Sequence, residues 1–126
     1  MTTAFVIGLG AFFGAIARYG VGSWVGGADG HGFPWATFLI NVSGSFLLGL
    51  LMRLMRGPGA STDLRAMLTT GLCGGYTTFS TFSFEVVMLM ENGHRSTALI
   101  YAAASSILSP IACWCGYMLG GIARVE

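Results

Sequence analysis

Fifteen residues, Gly71 to Glu85 (GLCGGYTTFSTFSFE), limit what this chain can fold into more than any other stretch. They combine two adjacent glycines, five Ser/Thr hydroxyls and three phenylalanines inside a segment long and apolar enough to cross a bilayer. In hydrocarbon, every unsatisfied backbone or polar group is costly. Such a cluster is tolerated at membrane depth only against protein, water or an ion. The segment therefore reads as a broken helix that lines a permeation path, with the interruption expected at Gly74-Gly75.

The rest of the chain supports a membrane setting. Hydrophobic residues make up 54% of it and charged residues only 9%, against about 25% charged in ordinary soluble domains. So few charges cannot cover a water-facing surface. The net charge of +1, with no lysine at all, leaves no basic face for nucleic acid. Cys73, Cys113 and Cys115 sit in apolar stretches without CxxC spacing and read as small buried hydrophobes. Ala15-Ile16-Ala17 has the small-x-small look of a signal-peptidase site. No Lys or Arg precedes the apolar run, however, and the run continues past Arg18, so the first segment is expected to remain as a span.

Four spans follow, each with at least the roughly 20 residues a bilayer core requires. They run from about Ala4 to Val25, Trp35 to Leu54, Ser61 to Glu91 and Thr97 to Ile122. A loop containing Gly26, Gly27, Asp29, Gly30, His31 and Pro34 closes the first span. Arg53, Arg56 and the breaker Gly57-Pro58-Gly59 close the second, and Asn92-Gly93-His94-Arg95 turns into the fourth. Ser61 or Thr62 can cap the third span, and Asp63 suits its positive end. The connections are short, so successive spans are antiparallel. The expectation is an all-α membrane protein, residues 1–126 forming a single four-helix domain.

Glycines four apart (Gly10 and Gly14, Gly22 and Gly26, Gly71 and Gly75, Gly116 and Gly120) let helix backbones approach closely in lipid. Polar residues recur at the same spacing. Thr37, Asn41 and Ser45 share a face of the second span, Thr77, Thr81 and Glu85 a face of the third, and Tyr101, Ser105 and Ser109 a face of the fourth. Any one hydroxyl can back-bond to its own helix, but three stripes on three helices are not needed for that. Asn41 needs several partners at mid-membrane. Phe79 and Phe82 share another face, where ordinary packing competes with a role beside the interleaved hydroxyls. Arg18 lies between Gly14 and Gly22 and either snorkels or points into a cavity as an anion attractor. Glu85 is either a buried proton site or a residue near a span end.

GAIARY at Gly14 to Tyr19, NVSGSFLLG at Asn41 to Gly49 and GGYTTFSTFSFE at Gly74 to Glu85 resemble the signature segments of the Fluc/CrcB fluoride channel family. The resemblance spans the whole chain. It implies a passive fluoride-selective channel of the bacterial inner membrane that exports fluoride from the cytoplasm. It implies an antiparallel, dual-topology homodimer with two pores and a structural Na⁺ at the dimer centre. By the same resemblance Phe79 and Phe82 present ring edges to fluoride, Asn41 is the pore asparagine, and the carbonyls of Gly74 and Thr77 hold the cation. Ser80, Thr81, Ser109 and Tyr101 are further pore candidates, and Arg18 is the vestibule arginine.

Loop arginines divide four to one, with Arg53, Arg56, Arg65 and Arg124 on one side and Arg95 on the other. Dual topology calls for near balance, so the antiparallel arrangement rests on the resemblance and not on charge. The leading alternative is a four-span proton-coupled exporter of cationic drugs. It needs an acid near the centre of the first span, and that span carries Arg18, nearer its outer end, and no acid. A non-conducting assembly subunit leaves the polar stripes without a purpose. An enzyme lacks a Ser-His-acid set and metal-ligand spacing.

Overall fold

The computed structural model describes residues 2–26, 32–57 and 59–122, and these are helical almost throughout. Gly27, Asp29, Gly30, His31, Pro58 and Arg124, invoked above for turns and charge balance, lie outside the described residues. The elements are α1 (Thr2–Val25), α2 (Trp35–Leu54), α3 (Thr62–Ala66), a π-helical stretch (Met67–Cys73), α4 (Gly74–Tyr76), α5 (Phe79–Glu91) and α6 (Arg95–Ile122). The second span has the expected bounds. The first and fourth begin two residues earlier than expected.

The third span is broken, but at Thr77-Thr78 and not at the glycines. Gly74 is helical (φ −65°, ψ −36°), whereas Thr77 (φ −78°, ψ 159°) and Thr78 (φ −150°, ψ 116°) are extended. The glycines serve close packing instead, since Gly75 lies against Ala11 of α1. Thr78 accepts from Thr81 N–H at 3.2 Å and so caps the N-terminus of α5. Ser61 accepts from Leu64 N–H at the start of α3, as expected.

The spans pack as two parallel pairs. α1 lies along the π-helical stretch and α4. Thr3 Oγ1 donates to Asp63 Oδ1 at 2.6 Å at one end, and Gly14 meets Leu72 and Gly75 further along. α2 lies along α6, with Gly49 against Cys113 and Gly116 against Phe46. In both seams an added Cβ would overlap facing main chain, so three of the four glycine pairs do as their spacing suggested. The fourth does not. An added Cβ at Gly22 or Gly26 would meet nothing within 4 Å among the described residues, and Gly26 (φ +88°) takes the left-handed turn that ends α1.

Little of this bundle is interior. α1, α2 and α6 are long and apolar enough to span a membrane, yet only 11%, 22% and 17% of their most apolar windows is buried. The third span escapes that description because the break divides it. The small core lies around Leu89, Ala98 and Tyr101, packed by Phe33, Phe38, Phe82 and Val86. Phe5, Tyr19, Trp24, Phe79 and Ile122 point outward. A hydrophobic exterior of this extent requires lipid or a partner subunit.

Candidate functional site

The polar stripes converge on the break. Asn41 of α2 faces Thr78, and its carboxamide takes both main-chain groups of that residue. Thr78 N–H donates to Asn41 Oδ1 at 2.8 Å, and Asn41 Nδ2 donates to the Thr78 carbonyl at 3.0 Å. The pairing fixes the amide orientation, because a main-chain N–H only donates and a carbonyl only accepts. Gly44, three residues on, makes room for the same segment. A Cβ there would overlap Thr77 Cγ2 and come within 2.9 Å of the Tyr76 ring. The NVSG sequence is thus a receptor for the break. Thr77 returns to its own helix, its N–H and its hydroxyl both donating to the Cys73 carbonyl at 2.9 Å.

The break separates two helix ends of opposite polarity at mid-span. α4 ends there and leaves carbonyls without helical donors, while α5 starts there with N–H groups uncommitted in its first turn. Two cavities meet at Thr78, which lines both.

The first cavity, of about 360 Å³, lies between α2, the break and α6. Asn41, Phe79, Phe82, Ser109, Gly74 and Thr77 line it, six of the ten residues singled out from the sequence. Phe79 and Phe82 have ring centroids 5.5 Å apart and planes tilted by 42°. Phe79 is 79% exposed on the protomer, whereas Phe82 is tucked against Tyr101. Ser105 also lines the cavity, and its buried Oγ has no hydrogen-bond partner among the described residues.

The second cavity, of about 440 Å³, holds Arg18, Thr37, Thr81 and Glu85. Arg18 Nη1 reaches the Thr77 carbonyl at 3.4 Å, so the guanidinium turns to the break and does not snorkel. Glu85 ties three helices. Thr37 Oγ1 donates to its Oε1 at 2.8 Å, and Tyr101 Oη donates to its Oε2 at 2.7 Å.

Two pore candidates sit apart from the first cavity in other ways. Tyr101, fully buried, lines neither cavity and acts here as a donor to Glu85. Ser80 is on the surface, with its Oγ 3.3 Å from Thr78 Oγ1. The sequence reading missed Thr78, which clamps to Asn41, caps α5 and divides the cavities. A Thr at the head of Thr-x-x-Thr, before a renewed apolar run, is the N-cap signal that marks it. It also missed the Thr37–Glu85–Tyr101 link, although all three residues lay on the noted stripes.

Comparison with known proteins gives a consistent result. Residues 5–117 match the family described as CrcB-like protein, Camphor Resistance (CrcB). The Fluoride-specific ion channel FluC of one strain of Thermus thermophilus is 43% identical over 116 residues, 92% of this chain and 91% of that protein. The protein of the same name from Rhizobium meliloti is 42% identical over 120 residues, covering 94% and 96%. Fluoride-specific ion channel FluC 2 of Bacillus cereus is 41% identical over 122 residues, covering 97% and 100%.

Proposed function

The chain belongs to the CrcB family, and on that premise we propose that it is a passive, fluoride-selective ion channel that exports fluoride from the cytoplasm. The observation that carries this reading is the helix break at Thr77-Thr78. It sets the start of α5, two phenyl rings and a set of hydroxyls around one cavity midway along the third span. Relatives named as fluoride channels, alike over more than nine-tenths of the chain, supply the ion.

The chemistry suits a small, strongly hydrated anion. A phenyl ring has a negative face and a positive edge, so ring edges offer weak attraction without a full charge. Asn41 keeps a second Nδ2–H beyond the one given to Thr78, and Ser105 and Ser109 add hydroxyls. The N-terminal end of α5 adds the positive end of its dipole. None of these is a formal charge, so binding compensates dehydration without trapping the ion. Arg18, in the neighbouring cavity, raises the local anion concentration without standing in the first one. Ser80 and Thr81, beside the cap, and Tyr101, through Glu85, shape the path from its edges.

The working unit in this proposal is an antiparallel homodimer with two pores. Phe79 lines the cavity yet is largely exposed on the protomer, which a partner subunit would remedy. A two-fold axis in the membrane plane brings two mid-span breaks together at one depth. The donors there also fit a structural Na⁺. Thr78 N–H, which would have closed a helical bond onto the Gly74 carbonyl, goes to Asn41 instead. Gly74 is exposed, and among the described residues the Thr77 carbonyl takes the long contact from Arg18 and no other hydrogen bond. Gly74 and Thr77 of each protomer would hold the cation through these carbonyls, where it supplies positive charge at the dimer centre.

As a multi-pass membrane protein with relatives in several bacteria, it is assigned to the bacterial inner membrane by this reading. The drug-exporter alternative loses its footing, since α1 carries Arg18 and no acid. Liposomes loaded with KF and reconstituted with the protein test the proposal. Adding valinomycin should release fluoride to an external electrode. Efflux that requires a proton gradient would refute a passive channel.

A further inference from the structure

We infer that Cys73 is a modification site for small, neutral thiophilic reagents, organomercury halides above all, and that metalation there closes the first cavity. The second half rests on the channel reading, since flux is what reports the closure. Cys73 is a free thiol at the end of the π-helical stretch. Gly71 and Gly75, two residues to either side, lie against Ile7 and Ala11 of α1. Two residues make about half a helical turn, so Cys73 is carried on the face turned away from α1. Thr69 and Thr77, four residues before and after it, share that face. All three line the first cavity, of about 360 Å³. Cys113 and Cys115 of α6 do not line it.

A thiol enclosed by apolar side chains is inert. Ser105 shows that this cavity is of another kind. It lines the same volume and is 7% exposed, yet its Oγ has no hydrogen-bond partner among the described residues. A buried hydroxyl in that position takes its partner from water or an ion. The cavity is therefore wet, and a proton leaving Cys73 has somewhere to go. Cys73 itself is 2% exposed, so a reagent reaches it through the cavity or not at all. That condition selects a small reagent, and a neutral one, because a charged reagent must shed its water to enter. Sulfur selects a soft metal. Methylmercury chloride meets all three conditions. An Hg–S bond forms at Cys73, the Hg–Cl bond breaks, and the thiol proton and chloride leave to water. Nothing is oxidised or reduced. Mercury displaces the proton, so no preformed thiolate is required. The product leaves a methylmercury group in the space between α2, the break and α6. Fluoride is a hard anion with little affinity for mercury, so the group obstructs the path and does not carry the ion.

Methylmercury chloride is the probe. Cys113→Ala with Cys115→Ala leaves Cys73 as the sole cysteine. When this variant is treated while folded in liposomes, its intact mass should rise by one methylmercury group. Fluoride efflux should fall to the level of protein-free liposomes. Excess free cysteine, which takes the mercury back, should restore it. Cys73→Ala, with Cys113 and Cys115 in place, should release fluoride at the same rate before and after the reagent. Labelling of Cys73 only in denaturant overturns the proposal. So does a labelled protein that conducts as before, or a loss of efflux that persists in Cys73→Ala. If the double variant does not fold, the parent and Cys73→Ala carry the comparison, with the labelled residue read from peptide masses. A parent that releases no fluoride before the reagent fails the channel reading instead, and labelling in the folded protein then decides the site by itself.

Discussion

Replacing Asn41 by leucine separates the clamp on the break from the volume that fills it. Leucine has about the size of asparagine but neither donates nor accepts. Two hydrogen bonds to Thr78 are lost, of 2.8 and 3.0 Å, and the N–H of a residue only 8% exposed is left without its partner, while its carbonyl, at the N-cap of α5, keeps the first bond of that helix. The orphaned N–H costs about 1–3 kcal/mol and the lost bond to the carbonyl about 0.5–1.5 kcal/mol, for a total of about 1.5–4.5 kcal/mol. If conduction needs the extended break, a cost of about 2.7 kcal/mol lowers flux by about a hundredfold. The assay pairs fluoride efflux from liposomes with the thermal midpoint of the purified protein in detergent. Flux should fall by at least tenfold and the midpoint should drop. Parental flux with an unchanged midpoint in Asn41→Leu would refute the clamp.

Other substitutions probe separate parts of the structure. Asn41→Asp should abolish flux at neutral pH, because an ionised carboxylate opposes both the Thr78 carbonyl and an arriving anion; parental flux would remove Asn41 from the path. Phe79→Ile or Phe82→Ile keeps apolar bulk but deletes the ring edge, and at about 1.4 kcal/mol the expected loss is about tenfold in flux with folding retained. If both conduct like the parent, the rings only pack. Gly116→Ala should prevent α2 and α6 from closing, at a cost of at least about 1–3 kcal/mol, because its Cβ would fall on the Phe46 carbonyl. Gly8→Ala, which meets nothing within 4 Å, is the control and should leave the midpoint unchanged or higher.

What the sequence revealed follows from which physics is local. Four spans were legible because apolar length alone decides them, and Trp35–Leu54 has the expected bounds. That the third span is broken was legible from its polar density. Where it breaks was not. Glycine at Gly74-Gly75 suggested flexibility, yet in lipid Gly75 is used to admit Ala11, and the chain leaves the helix where Thr78 can cap the next one. The π-helical stretch at Met67–Cys73 was invisible, since it is set by which carbonyl each N–H chooses and its seven residues carry no residue type that marks that choice. Stripe positions located Asn41, Glu85 and Tyr101 on inward faces. Their partners depend on how α2, α5 and α6 are set against each other, which is tertiary information.

Selectivity of a passive path for fluoride is tested most directly in a planar bilayer holding the protein. With fluoride on one side, chloride on the other and equal pH across the membrane, the current should reverse close to the fluoride equilibrium potential. It should keep that value when a proton gradient is imposed. A reversal potential near zero, or one that follows the proton gradient, would contradict a fluoride-selective channel.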